Sequence, residues 1–410
     1  MRLNAVIAGV GMTAFGKHMD RGLKSLGAEA IQTALADAGV EAKSLEAAYV
    51  GNAAAGVVTG QESIRGQVIL RSIGLGRLPV VNVENACASS STAFNQACAM
   101  VSAGFYDIVL ALGVEKLYHK DKKVSFGAFT GAVDVEAMST LIEQLQEGAK
   151  ASGAKSASSG SGQNRSMFMD IYAQVARAHM SAYGTTVEQY AAVSAKNSFH
   201  GSLNPRAQFR EALTVEEVLA QPMIAEPLTR SMCSPIGDGA AAAVIVSERK
   251  ARELGVSRPV RVVSSVLRSG WDHRPSEPGT GEVCSAEAYE EAGVGPADLD
   301  VVELHDASAP SEIFAYESLS LCGKGEGGRL IEEGVTRLGG RCPVNTSGGL
   351  LRKGHPVGAT GLAQIVELTE QLQGRSGERQ VEGAKVALAH NGGGTIGPDA
   401  AAMCVTILKA

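Results

Sequence analysis

Apolar and polar residues follow the same order twice along this chain. Residues 34–40 have the pattern of a helix that ends at a glycine, and a strand-like apolar run ending at Val50 follows them. Residues 288–294 repeat this pattern, and the apolar run 301–304 comes after them. Each copy is typical of a helix, a turn and a buried strand.

A second repeat supports a duplication. A Val-Asn pair at 81–82 precedes a helix-like stretch of small residues, and the Val-Asn pair at 344–345 precedes another. Because a long internal repeat indicates one structural unit used twice, we expect an α/β fold of two homologous halves. The predicted domains are residues 1–256, the N-terminal half, and residues 257–410, the C-terminal half.

The first half is longer because it carries an insertion at about residues 117–232. A lysine-rich run at 116–123 opens it, and a glycine-, serine- and alanine-rich stretch at 152–164 predicts a mobile surface loop. A helical pattern follows at 168–183. Such an insertion usually forms a lid or a binding surface, and simple decoration of the fold is the alternative. The lysines are expected to be solvated, and contact with the phosphates of a ligand is the other possibility.

The composition limits the classes of protein to consider. The 410 residues are 45% apolar and 20% charged, which is typical of a globular chain rather than a disordered one. The net charge of −6 gives no basic field for a nucleic acid. The seven cysteines are widely spaced, which predicts no disulfide framework and fits a reducing cytoplasm. No apolar run approaches the roughly 20 residues of a membrane span.

Cys87 is the first candidate for chemistry. It follows the apolar strand 80–83 and precedes a helix at 92–101 that is small or apolar on nearly every side. Such a helix is buried, and its dipole and free N–H groups would lower the pKa of the thiol. A small packed cysteine is the alternative, and this segment alone leaves both interpretations equally open.

Three histidines occupy positions that face a cleft in such a fold. His305 and His390 each end a predicted strand, whereas His355 lies between glycines in a loop that enters a helix. Strands of both halves end toward one edge, so we expect these rings to gather near Cys87. A thiol with a histidine base is an activated nucleophile, and the N–H groups of Cys87 and Gly392 could bind an oxyanion.

The sequence resembles the thiolase superfamily, in particular its sterol-carrier-protein type. The resemblance runs nearly end to end and implies the thiolase fold, in which two duplicated α/β halves form a layered α-β-α-β-α core. The motifs that carry it are Asn85-Ala-Cys-Ala-Ser-Ser, Cys233-Ser-Pro-Ile-Gly-Asp-Gly-Ala-Ala, His305-Asp-Ala, Val344-Asn-Thr-Ser-Gly-Gly and Gly354-His-Pro-Val-Gly-Ala-Thr-Gly.

The resemblance implies a role for each motif residue. Cys87 matches the nucleophile that becomes acylated, and His355 matches the histidine that activates it. His305 stands where many thiolases place an asparagine that holds a water in one oxyanion hole. Gly392 and the N–H of Cys87 match the other oxyanion hole. The residues that would contact coenzyme A are Ser234 and Gly393.

One departure from the family pattern affects the mechanism. Ordinary thiolases carry a second reactive cysteine at the position of His390, and some sterol-carrier types carry one where this chain has Ala307. His390 is therefore the first candidate for the acid/base group, with His305 second and a water molecule as the alternative. Related retro-aldol lyases lack the nucleophile, so Cys87 disfavours that function. An intact Cys87 with its histidines also disfavours a non-catalytic acyl-CoA or lipid binder.

The resemblance also implies substrates and partners. The expected reaction is coenzyme A-dependent cleavage of a 3-oxoacyl-CoA, or the reverse condensation, on a bulky, sterol-type or aromatic acyl chain such as that of benzylsuccinate breakdown. Coenzyme A is then a substrate, and no cofactor is tightly bound. We expect a homodimer and, as in some relatives, a small zinc-ribbon/OB-fold partner. Cysteine and histidine spacings predict no metal site, and the glycine-rich segment 9–14 lacks the acidic residue of a dinucleotide site.

Overall fold

The structure is a computed structural model that describes residues 3–151, 161, 165–274, 276–397 and 399–410. Its strands are β1 (Ala5–Met12), β2 (Ala47–Gly51), β3 (Val80–Val83), β4 (Ile108–Glu115), β5 (Met223–Ala225), β6 (Leu228–Thr229), β7 (Gly239–Ser247), β8 (Val260–Ser269), β9 (Val301–Glu303), β10 (Val386–Gly393) and β11 (Ala402–Lys409). Its helices are α1 (Leu23–Ala38), α2 (Ala55–Thr59), α3 (Arg65–Ser72), α4 (Ser89–Ser102), α5 (Lys122–Gly127), α6 (Met138–Ala151), α7 (Phe168–Tyr183), α8 (Val187–Ser202), α9 (Val215–Leu219), α10 (Glu248–Glu253), α11 (Thr280–Ala292), α12 (Ala309–Ser318), α13 (Gly327–Glu332), α14 (Gly349–Lys353) and α15 (Thr360–Leu372).

One mixed sheet joins the two halves, with the strand order β3-β2-β4-β7-β1-β8-β11-β10-β9. In the first half, β2 runs parallel to β3 and β4, and β7 runs antiparallel to β4 and β1. The second half repeats this arrangement, with β9 parallel to β10 and β11 antiparallel to β10 and β8. A parallel bridge between Val302 and Val344 takes the place of β3 there. The predicted duplication within an α/β fold is confirmed.

The two halves meet at a seam of short strand pairing and extensive helix packing. β1 and β8 pair at one end only, with Ala5 opposite Val262 and Ile7 opposite Val260. Beside this pairing, α4 and α15 pack against each other, and most of their side chains are buried. The central core therefore contains residues from both halves.

Alternate residues of the strands serve different layers, as the period of a strand requires. On β4, Val109 and Ala111 face the core that contains α4 and α15, whereas Leu110 and Leu112 face the core beneath α1. On the other side of the molecule, α11 and α12 pack on the second half together with α7 and α8 of the insertion. The two halves of this single sheet thus enclose α4 and α15 and carry helices on both outer faces, which confirms the expected layering.

The glycines of segment 9–14 have a packing role. A Cβ on Gly9 would overlap the backbone nitrogen of Ala38, and one on Gly11 would lie 2.5 Å from the backbone nitrogen of Ala34. Strand β1 and helix α1 approach each other so closely that only glycine fits between them. This packing explains the glycines without a dinucleotide.

The insertion is mostly helical over its described residues. The helix predicted at 168–183 is α7, and α8 and α9 begin with capping boxes at Thr186 and Thr214. The predicted loop at 152–164 lies outside the described residues except for Ser161. Lys116 departs from the expected solvated run, because it is buried and forms an ion pair with Asp238. Across the described part of the chain, none of the helices has the length and apolarity needed to cross a bilayer.

Candidate active site

Cys87 lies in a tight turn between β3 and α4. The turn is a short 3₁₀ helix, and Ala86 adopts a left-handed backbone conformation with φ of 46°. Side chains hold this turn, because Glu84 accepts a hydrogen bond from the Ala86 N–H at 2.6 Å and the Ser89 hydroxyl donates to the Ala86 carbonyl at 2.6 Å. The strained turn fixes where the Cys87 side chain lies on the cavity wall.

His355 is oriented by a hydrogen bond within its own loop. Its Nδ1 lies 2.7 Å from the hydroxyl of Thr360, and that hydroxyl donates to the Pro356 carbonyl at 3.2 Å. Since the Thr360 proton is used in this way, its oxygen accepts from Nδ1–H of His355. The remaining ring nitrogen, Nε2, is then unprotonated and can accept a proton.

The other ring beside the thiol belongs to His305, at the end of β9. One donor atom from each of Cys87, His305 and His355 lies within 4.8 Å of the others. The two imidazole rings meet edge to face, with centroids 5.3 Å apart. Among the described residues, the buried Nε2 of His305 has no hydrogen-bond partner. The predicted convergence of these residues on one cavity is observed.

His390 lies on the wall of the same cavity, near the end of β10. Two hydrogen bonds fix this part of the strand: the Gln364 amide donates to the His390 carbonyl at 3.1 Å, and the Ser91 hydroxyl donates to the Asn391 side chain at 2.8 Å. Nδ1 of the His390 ring is buried and has no hydrogen-bond partner among the described residues. The ring is therefore held in place with one polar atom uncommitted.

The glycines after His390 have different environments. Gly392 lines the cavity, and a methyl group there would lie 3.8 Å from Nδ1 of His305. The backbone N–H of Gly394 acts to lower the pKa of the Cys87 thiol, an effect that sequence reasoning did not assign. Gly393, which we expected to contact coenzyme A, is not part of the cavity wall and packs against the Asn85 carbonyl.

The electrostatics of the site differ from the expectation for a helix start. Burial, together with the smaller effect of the neighbouring Glu115, raises the pKa of the Cys87 thiol to about 12. The expected lowering of this pKa is therefore wrong, because loss of solvent outweighs the N–H groups at the turn. Burial lowers the pKa of His355 to about 3 and that of His390 to about 4. Burial and the neighbouring rings hold the pKa of His305 well below its usual range. At neutral pH the thiol and the three rings are uncharged.

Sequence reasoning missed two buried carboxylates that position the site. Glu115, the last residue of β4, accepts backbone N–H groups from Ala53, Ala54 and Gly358 at 2.9 to 3.1 Å. It thereby joins the chain after β2 to the turn that follows His355. The role of Glu115 could have been predicted from the sequence, because a charged residue at the end of a predicted buried strand needs partners.

Asp306 does the same for the second half. It accepts the Leu350 N–H at 2.7 Å and the Asn197 side-chain amide at 2.9 Å. The residue after His305 is thus tied to helix α14, which leads to His355, and to helix α8 of the insertion. Asp306 could have been identified from the sequence, because it lies within the His305-Asp-Ala motif.

One large cavity, of about 1390 Å³, connects the site to the insertion. Ser234 lies on its wall, and the Ser234 N–H donates to the Ala307 carbonyl at 3.1 Å. Bridges pair Cys233 with Ser308 and Ile236 with His355, so this motif joins the two histidine loops. The insertion supplies apolar side chains to the wall, which include Phe126, Phe129, Leu145, Phe168 and Tyr172.

Comparison with known proteins identifies relatives along the whole chain. A family model described as thiolase, N-terminal domain, matches residues 5–249, and one described as thiolase C-terminal domain-like matches residues 279–409. The acetyl-CoA acetyltransferase of Methanothermobacter thermautotrophicus is 42% identical, over 97% of this chain and 98% of that protein. Benzoylsuccinyl-CoA thiolase subunit BbsB of Thauera aromatica is 36% identical, over 95% and 94%. Sterol carrier protein 2 of Rattus norvegicus is 37% identical, over 94% of this chain and 69% of that protein.

Solved structures share the same fold. The Ltp2-ChsH2(DUF35) aldolase superposes with a TM-score of 0.79 at 26% identity, covering 99% of this chain and 98% of that one. Human mitochondrial 3-ketoacyl-CoA thiolase gives a TM-score of 0.71 at 16% identity, covering 100% and 99%, and has also been solved in complex with CoA.

Proposed function

The chain belongs to the thiolase family, and we propose that it is an acyltransferase that cleaves a 3-oxoacyl-CoA with coenzyme A through an acyl thioester on Cys87. The observation that carries this proposal is the placement of Cys87 beside His355, with donor atoms within 4.8 Å, on the wall of a large cavity. The reverse reaction, a Claisen condensation, uses the same groups in the opposite order. The boundaries of the two halves, 1–256 and 257–410, are part of this proposal.

The first half-reaction forms the acyl-enzyme. Nε2 of His355 takes the proton of Cys87 as the sulfur attacks the 3-oxo carbonyl carbon of the substrate. The bond between carbons 2 and 3 then breaks, which leaves the acyl group on sulfur and the enolate of a shortened CoA thioester. The proton taken by His355 is the one that the enolate needs, and His390 is the proposed carrier between them.

The second half-reaction returns the enzyme to its resting state. The thiol of an incoming coenzyme A loses its proton to an imidazole, and His390 is the first candidate for this base because its ring is neutral. The coenzyme A sulfur attacks the thioester carbonyl, the new acyl-CoA leaves, and the Cys87 sulfur recovers the proton. His305 is the second candidate for the base, and a water molecule is the alternative.

Backbone and imidazole N–H groups stabilise the negative charge that develops on oxygen. We assign the acyl-enzyme oxyanion to the N–H groups of Cys87 and Gly392, and the thioester oxygen of the second substrate to His305 and to His355, which can donate once Nε2 has taken a proton. Such donors are effective because they are already oriented and shielded from water. The backbone N–H of Gly394 favours the thiolate form of Cys87.

The wall of the cavity favours a bulky apolar or aromatic acyl group. Phe129, Phe168 and Tyr172 lie on the insertion side of the cavity, and Thauera aromatica BbsB is a thiolase subunit for benzoylsuccinyl-CoA. A panel of acetoacetyl-, long-chain and aromatic 3-oxoacyl-CoA substrates tests this assignment. Replacing the insertion by that of a relative should change the preference, whereas an unchanged preference would place the acyl pocket elsewhere.

Coenzyme A is the proposed second substrate, with Ser234 on its path into the cavity, and we propose no resident cofactor. We also propose a homodimer and a small partner of the zinc-ribbon/OB-fold type. The likeness to Ltp2-ChsH2(DUF35), in which a second protein accompanies the thiolase-like one, supports such a partner. Light scattering tests the dimer, and co-expression with a neighbouring small open reading frame tests the partner.

Mass spectrometry tests the proposed nucleophile directly. Incubation with an acyl-CoA should add one acyl mass to the peptide that contains Cys87 and none to the peptide that contains Cys233, a second cysteine on the cavity wall. An active protein with an unlabelled Cys87 would refute the proposal.

Retro-aldol cleavage of a steroid-type CoA thioester is the second candidate function. The 26% identity to the Ltp2-ChsH2(DUF35) aldolase favours it. Such a lyase needs no acyl-enzyme, so turnover that survives Cys87→Ala and yields an aldehyde or ketone without consuming coenzyme A would support it instead.

A further inference from the structure

Cys87 lies beside two histidines rather than one, and together they offer three atoms that could bind a metal ion. One sulfur and two ring nitrogens lie within 4.8 Å of one another, on Cys87, His305 and His355. These residues are far apart in the sequence, so the cluster could not be predicted from a metal-ligand spacing motif. All three line the open cavity, which gives a small solute access to them.

Each of the two rings keeps a nitrogen that is not committed to a hydrogen bond within the described residues. His355 uses Nδ1–H for Thr360, which leaves Nε2 with a lone pair. Nε2 of His305 is buried and has no hydrogen-bond partner among the described residues. A buried polar atom without a partner is costly, and a bound ligand or water removes that cost.

We propose that Cys87, His305 and His355 bind one soft divalent cation, Zn²⁺ in the first instance, in a reversible complex that blocks the nucleophile. Two imidazoles and a thiolate are ligands that zinc prefers, and the fourth tetrahedral position stays open for water or a ligand from the cavity. Zinc bonds of about 2.0 to 2.3 Å place neighbouring ligand atoms roughly 3.5 Å apart. Because the three atoms lie within 4.8 Å of one another, each separation needs to shorten by at most about 1.3 Å.

Binding is balanced by the loss of one proton. The Cys87 thiol releases H⁺ to solvent as the sulfur–zinc bond forms, and the two neutral imidazoles donate lone pairs without a change of protonation. The contact between His355 and Thr360 has the form of a zinc site's outer shell, in which the second nitrogen of a ligating histidine donates a hydrogen bond. Hard cations such as Mg²⁺ prefer oxygen ligands and are excluded by this set.

The complex would inhibit acyl transfer because it occupies both reacting groups. The sulfur that attacks the substrate and the nitrogen that takes its proton are the atoms that hold the metal. Free zinc is therefore expected to inhibit turnover, and a chelator is expected to restore it.

Titration of the metal-free protein with Co²⁺ tests the site without any acyl substrate. A thiolate ligand gives a near-ultraviolet charge-transfer band, and tetrahedral coordination gives visible bands. We expect one equivalent of Co²⁺ to bind, with both kinds of band, and one proton to be released. Zn²⁺ should displace the bound Co²⁺ and remove the bands, whereas Mg²⁺ should not.

Variants assign the ligands. Cys87→Ala should abolish the charge-transfer band, whereas Cys233→Ala, which removes another thiol on the same wall, should keep it. His305→Ala should weaken binding by at least about 100-fold, and Thr360→Val, which removes the outer contact together with the bond to the Pro356 carbonyl, by about 10- to 100-fold. Circular dichroism of each variant verifies that it is folded.

Two results would overturn the proposal: a wild-type protein that binds no Co²⁺ at micromolar to millimolar metal, or a band that survives Cys87→Ala in a folded protein. Either result leaves the proposed acyl transfer untouched, because that reaction is measured by acylation of Cys87. Conversely, a protein that binds the metal but is never acylated would refute the proposed function alone.

Discussion

The two halves of the molecule place different chemistry at equivalent positions of the same topology. In the first half, β2 ends at Gly51, and a Cβ there would lie 2.7 Å from the backbone of Ser90. In the second half, β9 leads into His305, which reaches the cavity. The parallel neighbour of each of these strands also differs: β4 ends in the buried Glu115, whereas β10 carries the cavity histidine His390.

This difference shows how a duplicated scaffold divides its work. The first half supplies Cys87, the proposed nucleophile, and its strand ends are packed tightly by Gly51 and by Glu115. The second half instead places imidazole rings, those of His305 and His390, at its strand ends beside the cavity. A thiol held in a fixed place needs tight packing, whereas the bases that face it need space for their rings. The duplication provides each kind of packing on a separate copy.

The strongest way to break this division is to remove the proposed nucleophile. We expect Cys87→Ala to lower turnover by at least about 10⁴-fold, since alanine has no sulfur to form the thioester. Steady-state kinetics measure the loss, and Cys233→Ala should stay near wild type. Comparable losses in both variants would indicate that structural damage, rather than lost chemistry, explains the effect.

Removing the base that faces the thiol comes next. His355→Ala should slow acylation of Cys87 by about 10²- to 10⁴-fold, because a buried thiol with a raised pKa cannot ionise by itself. Rapid-quench measurement of acylation isolates this step from later ones.

The pH dependence of the same step sharpens the assignment. Since burial lowers the pKa of His355 to about 3, its ring stays able to accept a proton at all pH values above that. We expect the acylation rate to stay constant from about pH 8 to about pH 5 and to fall only as the pH nears the lowered pKa. A fall centred near the ordinary histidine value of roughly 6.5 would show a solvated ring and contradict the burial.

His390 separates the two half-reactions. His390→Ala should leave acylation by a simple acyl-CoA nearly intact while overall turnover falls by about 100-fold or more. Single-turnover and steady-state assays compare the two quantities. Unchanged turnover would remove His390 from the mechanism and direct attention to His305.

The smallest expected effect concerns the clamp of the first half, by which we mean Glu115 and the backbone N–H groups that it accepts. In Glu115→Gln, an amide group would face backbone N–H donors, and each one left unpaired costs about 1–3 kcal/mol of stability. Denaturant unfolding should show this loss, whereas the exposed Glu378→Gln should change stability by less than about 0.5 kcal/mol. Equal stability of the two variants would show that the clamp contributes little.

Local patterns predicted much of the fold and the site. The glycine-ended helices, the apolar strands and the residues at their ends are short-range features, so the duplication, the layering and the convergence of Cys87 with its histidines could be read from the sequence. The raised pKa of Cys87 could not, because it depends on how completely the insertion and Glu115 surround the sulfur. Nor could the burial of Lys116, since its partner Asp238 is distant in the chain.

Helix α4 has a consequence for how the chain is made. Its inner face is covered by α15, which is synthesised long after α4 itself. A nascent first half therefore carries a complete set of strands with an uncovered apolar helix until residue 372 leaves the ribosome. Domains usually fold as units during synthesis. Here we expect the two copies to fold together after synthesis, and a first half expressed alone to aggregate.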